Sequence, residues 1–336
     1  MKNQVYKIHS DFYYVKISKN KIYTCKLKET IKKEKKQIVV GDFVELDKNC
    51  ETIISLKERK NFLLRPKASN IDLALVVCAL KNPDLDFIQL NRYLIFLKYH
   101  NIDCAICFNK EDLAKNLEEE KGEIRKIYEP LGYKIFFTSA KDKKDLDKLQ
   151  EFIKNKTTVL CGQSGVGKST LLNALNPEIF LRTKEISKKT NRGVHTTRHC
   201  EIVEFQEYKI MDTPGFSCLK FDFLLPNELV NLFSDISPYA KNCKFSNCYH
   251  EKSQEDNCEV IKNLDKIAPT RYESYLCFLK ESLEYKKEIS KRSIKEEENS
   301  KNAGDKKLLK ISKRKREASR NTQNQQIKKA KRGKYD

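Results

Sequence analysis

A chain of 336 residues has room for two or three compact domains. Its longest uninterrupted apolar run, Leu73 to Leu80, is too short to cross a bilayer, and no signal-peptide pattern opens it, so the expectation is a cytoplasmic protein without a membrane partner, its 12 cysteines mostly reduced. The net charge of +20 is unevenly spread: residues 1–66 carry +8, residues 67–290 carry +1 and residues 291–336 carry +11, and such loaded ends suit phosphate-bearing partners.

Residues 5–56 read as short strands. In Tyr23-Thr24-Cys25-Lys26-Leu27-Lys28 apolar and polar residues alternate as a half-buried strand requires. Phe12–Ile17, Ile38–Leu46 (broken at Gly41-Asp42) and Thr52–Leu56 continue the pattern, which predicts a small barrel of OB or SH3-like type. Phe12, Tyr13, Tyr14, Tyr23 and Phe43 lie among its lysines. Aromatics amid positive charge suit base stacking on RNA, and the same residues equally suit a barrel core.

From Ile71 apolar strands alternate with helical stretches. Strand Leu73–Leu80, helix Phe87–Tyr99, strand Ile102–Phe108, helix Leu117–Tyr128, strand Lys134–Thr138, helix Leu146–Lys154 and strand Thr157–Cys161 predict a parallel, doubly wound α/β sheet. Cys104 and Cys107 fall in one strand at a spacing that points them to opposite faces, so both are expected to be core cysteines rather than a redox pair.

Two elements sit at strand ends. Asn109-Lys110-Glu111-Asp112 follows strand 102–108 and resembles the guanine-recognition element of GTPases, with Asp112 able to accept from guanine N1–H and the N2 amine. Ser139-Ala140 closes the next strand and matches the backbone element that meets guanine O6. Then comes Gly162-Gln163-Ser164-Gly165-Val166-Gly167-Lys168-Ser169, a full G-x-x-x-x-G-K-[ST] loop between a strand and the helix 169–175. Its glycines let backbone N–H groups face phosphate, Lys168 reaches the β/γ oxygens, and Ser169 can ligate Mg²⁺. Thr170, next in the helix, is counted with the GTP-binding residues.

Further on, Arg192-Gly193-Val194-His195-Thr196-Thr197 reads as a switch segment in which Thr197, or Thr196 beside it, completes the Mg²⁺ shell. Asp212-Thr213-Pro214-Gly215 follows strand Tyr208–Met211 and resembles the D-x-x-G element. Asp212 would act on Mg²⁺ through a water, and the Gly215 N–H would sense the γ-phosphate. The next position, a glutamine in many small GTPases, is Phe216, which cannot orient water. His195 is therefore the catalytic candidate.

Beyond Pro226 the chain is helical. Cys243, Cys248, His250 and Cys258 offer three thiolates and an imidazole, the donor set of a closed structural Zn²⁺ site, one per chain. After about Lys291 a Lys/Arg/Gln/Asn-rich tail has the composition of a disordered segment, which would either add salt-sensitive affinity for RNA or serve only as a solvated solubility tail.

The guanine elements at 109–112 and 139–140 precede the phosphate loop at 162–169, the switch at 193–197 and D-x-x-G at 212–215, a circular permutation of the usual GTPase order. In that order, in Arg65-Pro66, in Asn70-Ile71-Asp72, in G-x-H-T-T-R-H at 193–199, in D-T-P-G-F-S at 212–217 and in Arg271-Tyr272-Glu273-Ser274-Tyr275, the chain resembles the circularly permuted, ribosome small-subunit-dependent GTPase A family of bacteria over residues 1–285. It departs in the last gap of the cysteine pattern, longer by two residues around Gln254-Glu255-Asp256.

The resemblance implies an N-terminal OB-fold (1–66), a permuted GTPase domain (67–233), a zinc-bearing helical domain (234–290) and, outside its reach, the basic tail (291–336). It implies a GTPase stimulated by the 30S subunit that acts in late small-subunit maturation; the partners expected with it are GTP, GDP, the 30S subunit and 16S rRNA, and the expected state is a monomer. Two other functions fit the residues: an rRNA-binding assembly factor whose GTPase is a slow timer, and a P-loop GTPase with no ribosomal partner.

Overall fold

The computed structural model describes residues 3–18, 21–33, 37–64, 66–113, 117–176, 200–205, 207–212, 219–251, 257–298, 300–303 and 306–309. The chain divides into two units, residues 1–220 with 227–278, and residues 221–226 with 279–336.

The first unit opens with β1 (Asn3–His9), β2 (Phe12–Ser18), β3 (Lys21–Leu27), the short helix α1 (Glu29–Lys33), β4 (Phe43–Leu46) and β5 (Thr52–Leu56). Strand β1 pairs with both β2 and β4, and β3 runs parallel to β5, so the order β1-β2-β3-β5-β4 closes on itself. This five-stranded closure is an OB-type barrel, which settles the choice that alternation alone left open. Val5, Val15, Cys25, Ile31, Ile38, Val44 and Ile53 fill it. The expected break at Gly41-Asp42 is real. The Asp42 carboxylate is fully buried and accepts from Val39 N–H at 2.8 Å, Arg59 Nε at 2.7 Å and Ser69 Oγ at 2.6 Å, pulling this segment out of the ladder.

A two-strand pair, β6 (Phe62–Leu63) with β7 (Ala68–Ser69), leads to the α/β region. There follow β8 (Leu73–Ala79), α2 (Phe87–Tyr99), β9 (Cys104–Asn109), α3 (Leu117–Tyr128), β10 (Lys134–Phe137), α4 (Leu146–Ile153), β11 (Thr157–Cys161), α5 (Lys168–Leu175), β12 (Glu201–Glu204) and β13 (Lys209–Asp212). Strands β10, β9, β8, β11 and β13 lie side by side in that order, all parallel. Every residue of β8 and β11 is buried, as strands covered on both faces must be. Cys107 is fully buried and Cys104 half-buried at the strand's start; burial pushes both thiols up to about 12, which keeps them protonated.

Strand β12 runs antiparallel to β13, and on its other side pairs with β1 at Lys7 opposite Glu201. The barrel and the parallel sheet are thus one eleven-stranded sheet. The Lys7 ammonium lies 2.7 Å from the Glu201 carboxylate, and Tyr6 donates to Glu204 at 3.2 Å.

The helical end comprises α6 (Pro226–Leu232), α7 (Ser237–Ala240), α8 (Glu259–Lys262) and α9 (Pro269–Glu298). Arg271 on α9 is fully buried. Its guanidinium donates to both oxygens of Asp235 at 2.9 Å and to Asn91 Oδ1 on α2 at 2.9 Å, while Asn91 donates to Ser274 Oγ at 2.8 Å. A charge removed from water needs such pairing on every donor. In the second unit Phe221 N–H donates to Glu281 at 2.8 Å and Ser282 Oγ to the Leu224 carbonyl at 2.5 Å. Helix α9 runs past Lys291, and β14 (Ser300–Ala303) pairs with β15 (Lys306–Leu309), so part of the stretch that composition assigned to a disordered tail is helix and hairpin. Among the described residues no helix is long and apolar enough to cross a membrane.

Candidate functional site

Among the described residues, four nucleotide-type positions lie at the carboxyl ends of parallel strands, which gathers them at one end of the sheet. Asn109 closes β9, Thr138-Ser139-Ala140 follows β10, Gly162 follows β11, and Asp212 closes β13.

At the phosphate loop two glycines are sterically required. Gly162 has φ +144°, and a Cβ there would lie 2.1 Å from the Val77 carbonyl oxygen. Gly167 has φ +93°, and its Cβ would lie 2.5 Å from the Asn109 side-chain nitrogen. The loop can therefore pack against β8 and Asn109 only without side chains at those points. Lys168 begins α5, and its ammonium donates to the carbonyls of Gly162 at 2.7 Å and Gln163 at 2.6 Å. Burial holds that ammonium below the ordinary lysine range. Ser164, Gly165, Ser169 and Thr170 are exposed, and Val166 is buried. A glycine loop, a helix N-terminus and a half-buried lysine are the parts from which an anion site can be built, since the positive helix end and the ammonium can act together.

Asn109 stitches the site together. It is 1% exposed; its amide nitrogen donates to the Val166 carbonyl at 3.0 Å, and its amide oxygen accepts from Ala140 N–H at 3.1 Å. One side chain thus fixes the phosphate loop and the 139–140 loop to the end of β9. Lys110 has φ +62° and donates to the Asn82 carbonyl. Asp112 is exposed and accepts from Ser139 Oγ at 2.9 Å. Glu111, expected with the base contacts, has its side chain buried and held by two lysines, Lys121 and Lys144. Burial opposes its charge, yet the two ammonium groups prevail and hold its carboxyl below the usual range. Sequence reasoning missed these two lysines, because nothing in their spacing separates them from solvent lysines. His195, Thr196, Thr197, Gly215 and Phe216 lie outside the described residues, as does the Asp212 side chain.

The second constellation is Cys243, Cys248, His250 and Cys258, whose ligand atoms all lie within 4.8 Å of one another. His250 Nδ1 is 3.5 Å from both Cys243 Sγ and Cys258 Sγ, and those two sulfurs are 3.8 Å apart. A tetrahedral ion with bonds of about 2.3 Å to sulfur and 2.0 Å to nitrogen has edges of about 3.8 and 3.5 Å, so the donor set fits a metal ion. Burial holds the His250 imidazole down at about 4, leaving it neutral with a lone pair to offer. The two extra residues in the last gap do not displace Cys258, which is fully buried in the cluster; residues 254–256 lie outside the described ones. Tyr272 and Tyr275 on α9 donate to the carbonyls of His250 at 2.8 Å and Tyr249 at 3.1 Å, which gives the Arg271-Tyr272-Glu273-Ser274-Tyr275 run a reason: Arg271 and Ser274 hold Asn91 of α2, and Tyr272 and Tyr275 hold the cysteine loop.

On the barrel, Phe12 is 41% exposed with the Lys26 ammonium 5.5 Å from its ring, and Lys21 sits 5.0 Å from Tyr23. Tyr13 and Tyr23 pack partly against the barrel core, and Phe43 is half-buried.

Fold and motif order together define a circularly permuted P-loop GTPase. Family models for the RsgA N-terminal domain and the RsgA GTPase match residues 2–53 and 56–222, and one described as 50S ribosome-binding GTPase matches 157–299. The small ribosomal subunit biogenesis GTPase RsgA of Alkaliphilus metalliredigens is 39% identical over 281 residues, 82% of this chain and 95% of that protein. That of Clostridium beijerinckii is 39% identical over 292 residues, 85% and 99%. The crystal structure of YjeQ from Thermotoga maritima superposes with a TM-score of 0.71 at 29% identity, covering 84% of this chain and 98% of that one. YloQ, a circularly permuted GTPase, gives 0.69 at 32%, covering 84% and 95%. The chain belongs to the RsgA family of GTPases and hydrolyses GTP.

Proposed function

We propose that this protein binds the 30S ribosomal subunit through 16S rRNA and hydrolyses GTP as a checkpoint in late small-subunit maturation, acting as a cytoplasmic monomer. The observation that carries the reading is the fusion of a basic OB-type barrel to a permuted GTPase sheet, in a chain whose full-length relatives are named for small-subunit biogenesis. The 157–299 match to a 50S-type GTPase model does not choose the subunit, because that span holds the phosphate loop and switches common to P-loop GTPases.

In this reading Asp112 pairs with guanine N1–H and the N2 amine, while the 139–140 backbone meets O6. Backbone N–H groups of 162–169 cradle the phosphates, Lys168 neutralises the β/γ oxygens, and Thr170 stands next to them on α5. Ser169 and Thr197 hold Mg²⁺, with Asp212 acting through a water; the ion, when bound, neutralises charge on the phosphates. The Gly215 N–H senses the γ-phosphate, and His195 orients the attacking water. Cys243, Cys248, His250 and Cys258 hold one structural Zn²⁺, the ion that a Cys₃His donor set selects. Residues 1–66 and the 291–336 tail supply salt-sensitive affinity for rRNA, 67–233 the nucleotide site and 234–290 the zinc domain.

Lys168→Ala removes the ammonium from the phosphate site and is expected to weaken GTP and GDP binding alike, by about 10²-fold, in a fluorescent-nucleotide titration. Unchanged affinity would remove Lys168 from the site. The function itself is tested by GTP turnover with and without 30S subunits. Turnover should rise when subunits are added, and His195→Ala should keep GTP affinity and 30S binding while losing about 10²-fold of the stimulated rate. A rate indifferent to subunits, with no co-sedimentation, would reject the ribosomal reading. Full stimulation in His195→Ala would make the histidine a bystander.

A further inference from the structure

Glu111 occupies the unspecified position of N-K-x-D, where the motif asks for no particular side chain. Its surroundings are nevertheless specific. The residue is 3% exposed, and Oε1 accepts from Lys121 Nζ on α3 at 2.5 Å and from Lys144 Nζ at 2.8 Å. The two lysines arrive from different segments. The Lys121 side chain is 13% exposed, with its ammonium 5.3 Å from the Phe137 ring. Lys144 closes the loop that carries Ser139 and Ala140, exchanging backbone hydrogen bonds with Ser139 at 3.0 and 3.4 Å. One carboxylate therefore joins the 109–112 element, helix α3 and the 139–144 loop.

A buried ion pair is weak evidence for stability, because desolvation offsets most of the attraction, and it is better understood as fixing geometry. Geometry is what Asp112 needs. A carboxylate that must meet two parallel N–H donors at once has to be correct in distance and angle, since hydrogen bonds weaken steeply off-line. Asp112 is the next residue, exposed, and steadied by Ser139 Oγ from the very loop that Lys144 closes.

We infer that Glu111 is a positioning residue for guanine recognition: its paired contacts with Lys121 and Lys144 set Asp112 against the 139–140 loop, so that both donors of the base are met together. This rests on the assignment of 109–112 and 139–140 to the base.

The test compares GTP with ITP, whose base lacks the exocyclic amine, in nucleotide titrations of the full chain. Glu111→Gln keeps the shape and removes the charge. Lys144→Ala removes the half-exposed arm while Glu111 stays paired with Lys121, and Lys144→Arg keeps an arm in place. The expected result is a GTP/ITP preference reduced about five- to tenfold in Glu111→Gln and Lys144→Ala, with GTP and GDP affected equally, and restored in Lys144→Arg. GTP and ITP weakened by the same factor, or neither weakened, would overturn the inference. Should Glu111→Gln not fold, the two Lys144 variants decide alone. Wild-type protein that does not prefer GTP to ATP would overturn the base assignment, and the inference with it; a wild-type preference that survives unchanged in the variants overturns the inference only.

Discussion

Asp112→Asn should lower affinity for GTP by about 10⁴-fold and turn the protein toward xanthosine triphosphate. The carboxylate offers lone pairs to two adjacent donors, and an amide turned to accept from one places its own N–H₂ against the other. In xanthine the amine is replaced by a carbonyl, which that N–H₂ can satisfy. The effect should be local, because Asp112 is exposed and the amide oxygen can still accept from Ser139 Oγ. Titration with both nucleotides, beside a thermal melt of the free protein, checks this: the melting temperature should not move. An unaltered GTP affinity would remove residues 109–112 from base recognition.

The second large effect is expected from Cys258→Ser. Cys258 is fully buried, with His250 Nδ1 and Cys243 Sγ at 3.5 and 3.8 Å, so a serine there leaves three ligands and a hydroxyl too hard and too short to replace the thiolate. Because binding energy at such a site is folding energy, the variant should lose the ion and melt about 10 °C lower. Nucleotide binding should survive, since the phosphate and base loops are built on strands β9, β10 and β11. Elemental analysis still finding about one Zn²⁺ per variant chain would reject Cys258 as a ligand.

Much of this architecture was legible in the residues. Helices 87–99 and 117–128 and strands 52–56 and 157–161 fall where the pattern of apolar residues and the flanking motifs put them. Strand β12 was not foreseen. Glu201-Ile202-Val203-Glu204 is four residues with two charges, and it is a strand because β13 and β1 pair with it on either side, a property of the fold rather than of the segment. The barrel itself was legible in the spacing of its short strands, but its strand order was not, since alternation reports which residues face inward and not which strands are neighbours. At the site, motif spacing singled out the glycine loop at 162–169 and the turn at 109–112, which Asn109 joins through the Val166 carbonyl. The burial of Glu111 and Arg271 ran against composition: charged residues read as solvent-facing unless their partners, here distant in sequence, are known. Cys258 was placed by donor chemistry despite the longer gap, and the geometry of the cluster agrees.

The eleven-stranded sheet also has a mechanical meaning. A barrel tethered by a linker can swivel freely; one whose first strand is paired with the neighbouring sheet, here at Lys7 and Glu201, must break that pairing to do so. The seam runs along β12, which follows directly on the 193–199 segment, and its Glu201 stands opposite both Lys7 of the barrel and Asp212 at the end of β13. A load applied to the barrel therefore reaches the β12–β13 hairpin through this pairing, and the start of β8 through the bonds of Asp42 and Gly41 to Ser69 and Asn70.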